Sequence, residues 1–273
     1  NKDEKNKGEI NMDQRTYPPV PEQVYLFGTC LIDMFVPEAG VDAVFLLQQA
    51  GLRVHYPQQQ SCCGQPAYSS GNPQQAREVA RAQLDLFAQP WPVVVPSGSC
   101  AGMMRHHWPA LFADEPEWHA KALALAERVF ELTEFYLHVL QQPLPQPQSG
   151  NSIPVEHLAL HTSCAARREM GTRLHGVEVL NRLPGIALKE HVRESECCGF
   201  GGTFSLKHPD ISGAMVQDKL AAIRATGCDG VVTADCGCML NLRHTAEFQQ
   251  QPIRIEHMAS FLRRRLFGTT GKD

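Results

Sequence analysis

The sequence predicts an α/β protein of two pseudo-repeated lobes. Each lobe is expected to be a parallel sheet flanked by helices, with cysteines in the loops at the carboxyl ends of its strands. Three observations lead there: an internal repeat running through most of the chain, strand-like and helix-like segments alternating within each copy, and ten cysteines that mostly follow the repeat. The 273 residues are enough for one large domain or two small ones with a proper core.

Lobe one opens with Val24-Tyr25-Leu26-Phe27-Gly28-Thr29-Cys30, an apolar run ending in cysteine, and its counterpart is His157-Leu158-Ala159-Leu160-His161-Thr162-Ser163-Cys164. Apolar residues at helical spacing follow each cysteine: Val41, Val44, Phe45 and Leu47 in one copy, Val177, Val179, Leu180 and Leu183 in the other. Both stretches run out at a glycine, Gly51 or Gly185, a common helix stop. A second strand, residues 52–57 or 186–192, leads to Cys62-Cys63-Gly64 or Cys197-Cys198-Gly199. Pro73 and Pro209 suit the first turn of the next helix. Third strands, Val93-Val94-Val95 and Val231-Val232-Thr233, then reach Ser99-Cys100 and Cys236-Gly237-Cys238. Intervals repeat as well: Cys30 and Cys62 are 32 positions apart (62 − 30), Cys164 and Cys197 are 33 (197 − 164).

This reading divides the chain into an N-terminal tail (1–22), lobe one (23–142), a proline-rich linker (143–154) and lobe two (155–267). Residues 1–11 are polar without an apolar export segment, and read as a flexible extension or tag remnant, with Met12 a candidate start. A long helix is expected over residues 116–140, with Asp114, Glu115 and Glu117 capping its positive end. With 25 basic and 29 acidic side chains there is no cationic excess to neutralise nucleic-acid phosphates. No apolar run approaches the ~18 residues of a membrane span. A cytoplasmic setting with reduced thiols is therefore expected, and adjacent cysteines are poor disulfide partners for each other.

Strand–helix–strand–helix–strand–helix order with right-handed crossovers gathers the cysteine loops along one sheet edge. Two four-thiolate pockets are predicted: Cys30, Cys62, Cys63 and Cys100 in lobe one, Cys164, Cys197, Cys198 and Cys238 in lobe two. Four thiolates suit tetrahedral Zn²⁺ or an iron–sulfur cluster and are wrong for Mg²⁺ or Ca²⁺, and unmetallated thiols remain a third reading. Other residues take plainer readings. Cys228 lacks a counterpart and is assigned to packing. Gly201-Gly202 lies in a stretch without a Walker lysine and is read as close backbone packing beside a cluster. His161 is expected to hydrogen-bond locally, and Lys207 to be solvated. His106, His107 and His244 are read as contacts behind the ligands, and Arg263-Arg264-Arg265 as cations at a helix C-terminus. No G-x-G-x-x-G follows either opening strand, so hydride chemistry by this chain alone is not expected.

The two cysteine sets, and above all Cys197-Cys198-Gly199-Phe200-Gly201-Gly202-Thr203-Phe204-Ser205, resemble the tandem cysteine-rich CCG domain. That domain occurs in heterodisulfide reductases and in iron–sulfur subunits of glycolate- and glycerol-3-phosphate-oxidising enzymes. Two copies at this length, with Asp114-Glu115-Pro116-Glu117-Trp118, most resemble the lactate utilization protein A family, from about Val24 to Leu262. The resemblance implies iron–sulfur clusters of the 4Fe-4S type, one per lobe, on the eight cysteines of the two pockets, with zinc an alternative in one lobe. It implies a subunit for electron transfer in NAD-independent L-lactate oxidation, beside a ferredoxin-like iron–sulfur protein and a third small subunit. A glycolate or heterodisulfide oxidoreductase subunit, and a zinc- or thiol-based assembly scaffold without redox work, are the alternatives. The fullest form of the domain ends in C-x-x-C, but Ser97 and Asp235 occupy the first of those positions here. Cys236 is expected to compensate in lobe two.

Overall fold

Runs of β-branched and aromatic residues become short parallel strands, four in each lobe among the described residues of this computed structural model, 15–144 and 154–268. In lobe one β1 (Gln23–Leu26), β2 (Arg53–His55), β3 (Val93–Val95) and β4 (Val129–Glu131) stand in the order β2-β1-β3-β4. In lobe two β5 (Glu156–His161), β6 (Ile186–Leu188), β7 (Gly230–Thr233) and β8 (Arg254–His257) stand in the order β6-β5-β7-β8. Tyr25 pairs with Val93 and Val93 with Val129; Leu158 pairs with Gly230 and Gly230 with Arg254, so the two registers correspond. Every side chain of β3 and β7 is buried, as strands covered by helices on both faces require.

The fourth strands correct the three-strand expectation. The helix expected over residues 116–140 ends at Ala126, and Val129-Phe130-Glu131 pairs beside β3 before the chain turns helical again from Leu132. An apolar stretch of that length fits a helix or a buried strand by pattern alone, and the vacant edge of the sheet decides. In lobe two, β8 is written Arg-Ile-Glu-His, too polar to read as a strand. Its outward side chains are matched by ion pairs, Arg264 to Glu256 at 2.9 Å and Arg254 to Glu156.

The predicted stops and starts hold elsewhere. Gly51 adopts φ +87° just beyond the helix Pro37–Gln49, and Pro73 and Pro209 sit in the first turns of Pro73–Leu84 and Pro209–Arg224. Glu115 makes no capping bond; it pairs instead with Arg81 at 2.6 Å and Arg77 at 3.1 Å, tying two helices together. Residues 1–14, with Met12, and 145–153, most of the expected linker, lie outside the described residues. The remainder of the expected tail is packed on lobe one: Arg15 reaches buried Glu134 at 2.7 Å, and Tyr17 stacks on His138. Burial pushes the Glu134 carboxyl up, but the Arg105 and Arg15 guanidiniums outweigh it and hold the group below its usual range.

The lobes share their core. Val24, Leu26, Phe135, Leu158, Val232 and Phe261 belong to one buried cluster spanning both sheets. Packing is reciprocal around the cysteines. Ile32, just after Cys30, joins the lobe-two cluster of Leu220, Ile223 and Met239, while Met170, just after Cys164, joins the lobe-one cluster of Phe27 and Trp108. The helix Gly98–Gly102 meets Cys164–Met170 so closely that a Cβ on Gly98 would lie 2.7 Å from Thr172 Cγ2 and closer still to Ala166 Cβ. Among the described residues no helix is long and apolar enough to cross a membrane.

Candidate metal centre

Each lobe builds its thiol group from the same local pieces. The first cysteine stands at a helix start after the first strand: Cys30 opens Cys30–Phe35, and Cys164 opens Cys164–Met170, where Ser163 Oγ accepts from Ala166 N at 3.2 Å. Thr29, just before Cys30, is held at φ 59°, a conformation that costs a non-glycine residue of order 1 kcal/mol and often marks a functional site. The cysteine pairs sit in loops ended by Gly64 and Gly199, both at φ +85°; a Cβ on Gly199 would meet Ser212 O at 2.6 Å. The next backbone N–H turns back onto the first sulfur of each pair, Gly64 N to Cys62 Sγ at 3.4 Å and Gly199 N to Cys197 Sγ at 3.3 Å. The carbonyl of the second cysteine is anchored too, by Trp108 Nε1 on Cys63 at 2.8 Å and by Asn241 Nδ2 on Cys198 at 2.9 Å. Cys100 and Cys238 come from the first turns of Gly98–Gly102 and Cys236–Phe248.

The sulfurs are in contact. Cys30 Sγ lies 3.5 Å from Cys62 Sγ, and Cys198 Sγ 3.1 Å from Cys238 Sγ. Proton sharing follows one scheme in both lobes. Cys62 and Cys197 are held far below the usual thiol range by thiols donating from Cys30 and Cys164, helped by Cys63 and Cys198 and by the glycine N–H. Those donors are pushed up, Cys30 and Cys164 by holding these bonds and by burial, Cys63 by its bonds to Cys100 and Cys62, and Cys198 by its bonds to Cys197 and Cys238. In each lobe the first cysteine of the pair is thus the favoured thiolate, and its neighbours hold protons that a soft cation would displace as it binds.

All nine predicted cysteines line a single cavity of about 470 Å³ between the lobes. This corrects the expectation of two separate pockets; the reciprocal packing of the first cysteine helices turns both quartets toward each other. Ser97 and Asp235, the residues in the fifth-cysteine positions, touch across the boundary: Asp235 Oδ1 accepts from Ser97 Oγ at 3.2 Å and from Ser99 N at 2.9 Å. Cys236, expected to compensate in lobe two, lines the cavity beside the lobe-two quartet. Burial first, and then the charge of Cys100 in lobe one, raise its thiol to about 12.

Of three buried polar side chains in the surroundings of the thiols, His161 departs from the sequence reading, and Lys219 and Gln83 were not singled out by it. His161 is 1% exposed, its imidazole lies within 4.8 Å of the Cys198 and Cys238 sulfurs, and neither ring nitrogen has a hydrogen-bond partner. The local hydrogen bonding expected of it is absent: the ring lies among Lys219, His191 and the lobe-two sulfurs, and neither nitrogen is paired. Burial, with Lys219 and His191 adding to it, keeps the ring neutral by lowering its pKa to about 3. Lys219, 1% exposed, donates from Nζ to the carbonyls of Arg193, Glu194 and Glu196, bracing the loop before Cys197. Gln83 braces the matching loop in lobe one, its Oε1 accepting from Ser61 N at 2.9 Å. The repeat held that signal: Gln83 and Lys219 each lie ten positions beyond their helix-opening proline (83 − 73; 219 − 209).

The remaining candidates sit apart. His106 Nε2 meets Glu169 O at 2.9 Å and His107 Nε2 meets Glu169 Oε1 at 3.0 Å, so both join the lobes rather than back the ligands. Cys228 packs half-buried beside the lobe-two core, and Lys207 is exposed. Arg263 pairs with Asp42 at 2.7 Å, Arg264 with Glu256, and Arg265 donates to Pro184 O at 2.7 Å, so these cations are matched within the fold. Nine sulfurs face the cavity beside a single carboxylate, Asp235, a donor set that fits an iron–sulfur cluster or zinc better than a hard cation.

Comparison with known proteins agrees with this architecture. The Cysteine-rich domain family CCG matches twice, over residues 24–105 and 158–243. Two such domains facing each other across one thiol-lined cavity define the class. "Lactate utilization protein A" of Halalkalibacterium halodurans is 39% identical over 240 residues, covering 88% of this chain and 96% of that protein. "Lactate utilization protein A 2" of Bacillus cereus is 37% identical over 240 residues, covering 88% and 97%. The chain belongs to the lactate utilization protein A family. A crystal structure of a hypothetical protein from Helicobacter pylori shares the fold, with TM-score 0.61 at 12% identity; the match covers 95% of this chain and 51% of that one, so this chain spans about half its length.

Proposed function

We propose that the chain is the iron–sulfur electron-transfer component of an NAD-independent L-lactate oxidation complex, acting in the cytoplasm. Two clusters of the 4Fe-4S type, one per lobe, would be held by Cys30, Cys62, Cys63 and Cys100 and by Cys164, Cys197, Cys198 and Cys238. One observation carries the reading: two thiol quartets, each with a glycine N–H turned onto the first sulfur of its cysteine pair, open onto one cavity. Oxidising a 2-hydroxy acid to its 2-oxo acid releases two electrons and two protons, and a bound pair of clusters supplies two one-electron carriers side by side. The chain's own residues then hold and tune. Gly64 and Gly199 offer N–H donors to sulfur, and helix starts at Cys30 and Cys164 offset negative charge. The names of the relatives support lactate as the fuel and a multi-subunit setting, for which a ferredoxin-like iron–sulfur protein and a third small subunit are the partners proposed.

The test is iron, zinc and acid-labile sulfide per chain on anaerobically purified protein, with EPR on the same sample. Several irons with matching sulfide are expected. Zinc without sulfide, persisting after reconstitution with iron and sulfide, would replace electron transfer by a metal-stabilised assembly role. Deletion strains grown on lactate and on glycolate separate the two oxidoreductase readings; a defect on glycolate alone would move the substrate.

A further inference from the structure

We infer that His161 is a nitrogen ligand of the lobe-two centre, which makes the two metal sites chemically different; the inference rests on the metal-centre reading above. Its imidazole and the sulfurs of Cys198 and Cys238 lie within 4.8 Å of one another, with the two sulfurs 3.1 Å apart. With metal–sulfur bonds of about 2.3 Å and metal–nitrogen bonds of about 2.0 Å, tetrahedral ligand atoms stand roughly 3.3–3.8 Å apart. Closing the ring onto a metal atom that one of these sulfurs binds needs a movement of about 1.5 Å at most.

The second observation is the ring's isolation. His161 is 1% exposed, and both nitrogens are buried without any hydrogen-bond partner. A buried polar group left unmatched is costly, and a native structure normally supplies its partner. The nearby cation does not compete, since Lys219 Nζ is occupied by three backbone carbonyls of the loop before Cys197. Nor does the fold demand a histidine there. Three residues before the first cysteine of each lobe stand Phe27 and His161 (30 − 27; 164 − 161), and in lobe one the position is filled by a buried phenyl ring. The same slot is therefore apolar core in one lobe and a nitrogen donor at the thiols in the other. A metal in lobe two gains a neutral ligand where lobe one offers thiolates alone.

The experiment uses the full chain grown with ¹⁵N-histidine and with natural histidine, reconstituted anaerobically with iron and sulfide and examined by pulsed EPR. A directly bound imidazole nitrogen with a coupling that changes on ¹⁵N labelling is expected, and it should vanish in His161→Phe, which copies the lobe-one residue. Far-UV circular dichroism checks that variant; if it fails to fold, His161→Cys reads the same loss while restoring a donor. The midpoint potential of one centre should shift in either variant and that of the other should not. Iron uptake without a histidine coupling, or with only the weak coupling of a ring N–H hydrogen-bonded to sulfur, overturns this inference and leaves the metal centre standing. A coupling that survives in His161→Phe also overturns it. Failure to take up iron at all overturns the metal-centre reading itself.

Discussion

Gly98→Ala tests the closest approach between the lobes. The new methyl would lie 2.7 Å from Thr172 Cγ2 and nearer still to Ala166 Cβ, where carbon atoms in good contact stand about 3.5–4.0 Å apart. The helices Gly98–Gly102 and Cys164–Met170 would have to separate by about 1 Å. Overpacking of this kind costs about 1–3 kcal/mol. Unfolding entropy is about 2.1 cal/mol/K per residue, or about 0.6 kcal/mol/K for 273 residues, so Tm should fall by about 2–5 °C. Thermal unfolding of metal-free protein by circular dichroism reads the packing without the metal's contribution. Because Cys100 and Cys164 ride on these two helices, reconstituted Gly98→Ala should also lose iron faster to a chelator. Gly213→Ala is the control: it lies within a helix with nothing inside 4 Å of the added Cβ, and should raise Tm slightly through the better helix propensity of alanine. A Gly98→Ala protein as stable as the parent would refute the packing that turns the two quartets toward one cavity.

Cys198→Ser should remove about half of the bound iron and leave the lobe-one EPR signal, since each quartet is complete within its lobe; loss of both signals from a folded protein would show that the quartets load as one. Cys236→Ala should leave the iron content and both EPR signals unchanged, because each quartet is complete without it; loss of iron would show that Cys236 is a further ligand. Glu131 supplies a pH test. Wholly buried, its carboxyl is pushed up from 4.5 to about 7 by desolvation, against the opposing bonds from Thr133 and Glu134. The folded state therefore favours the proton: no penalty applies below about pH 4.5, and stability falls as pH rises through 7. A shift of this size is worth about 2–3 kcal/mol between pH 5 and pH 8. Glu131→Gln cannot titrate, so its stability relative to the parent should rise by that amount over the same range; a constant difference in Tm would mean that Glu131 folds already ionised.

What the sequence displayed, it displayed through the repeat. Matched cysteines, glycines and prolines located six of the eight strands and the loops that carry the thiols, because each of these residues has a local backbone role that survives duplication. β4 was hidden because Val129-Phe130-Glu131 continues a helical-looking apolar stretch, and only the open edge beside β3 makes it a strand. β8 was hidden because its polar residues Arg254 and Glu256 are neutralised by Glu156 and Arg264, partners brought from elsewhere in the fold. The single cavity was equally out of reach. Nothing local to Cys30 or Cys164 announces that Ile32 and Met170 bury themselves in the opposite lobe. His161 escaped for a related reason: a histidine at a strand end ordinarily finds a carbonyl, and only the three-dimensional surroundings reveal that this one faces sulfur.

Four of the positions at which the two lobes differ lie together at or near the thiols. Phe27 answers His161, Gln83 answers Lys219, Gly98 answers Cys236, and Ser97 answers Asp235, all of them at or just behind the thiols. Each substitution in lobe two adds charge or a donor atom where lobe one keeps an apolar, neutral or smaller group. Lys219 matters most for charge: its ammonium is buried, and its attraction to Cys198 and Cys238 is felt in a setting where water screens little. A negative group held by those thiols is stabilised in lobe two by a cation that lobe one replaces with an amide. Duplication thus reproduces the shape of the site while the residues behind it place different charges beside the two copies, which is the arrangement that the two proposed carriers would need if an electron is to prefer one over the other.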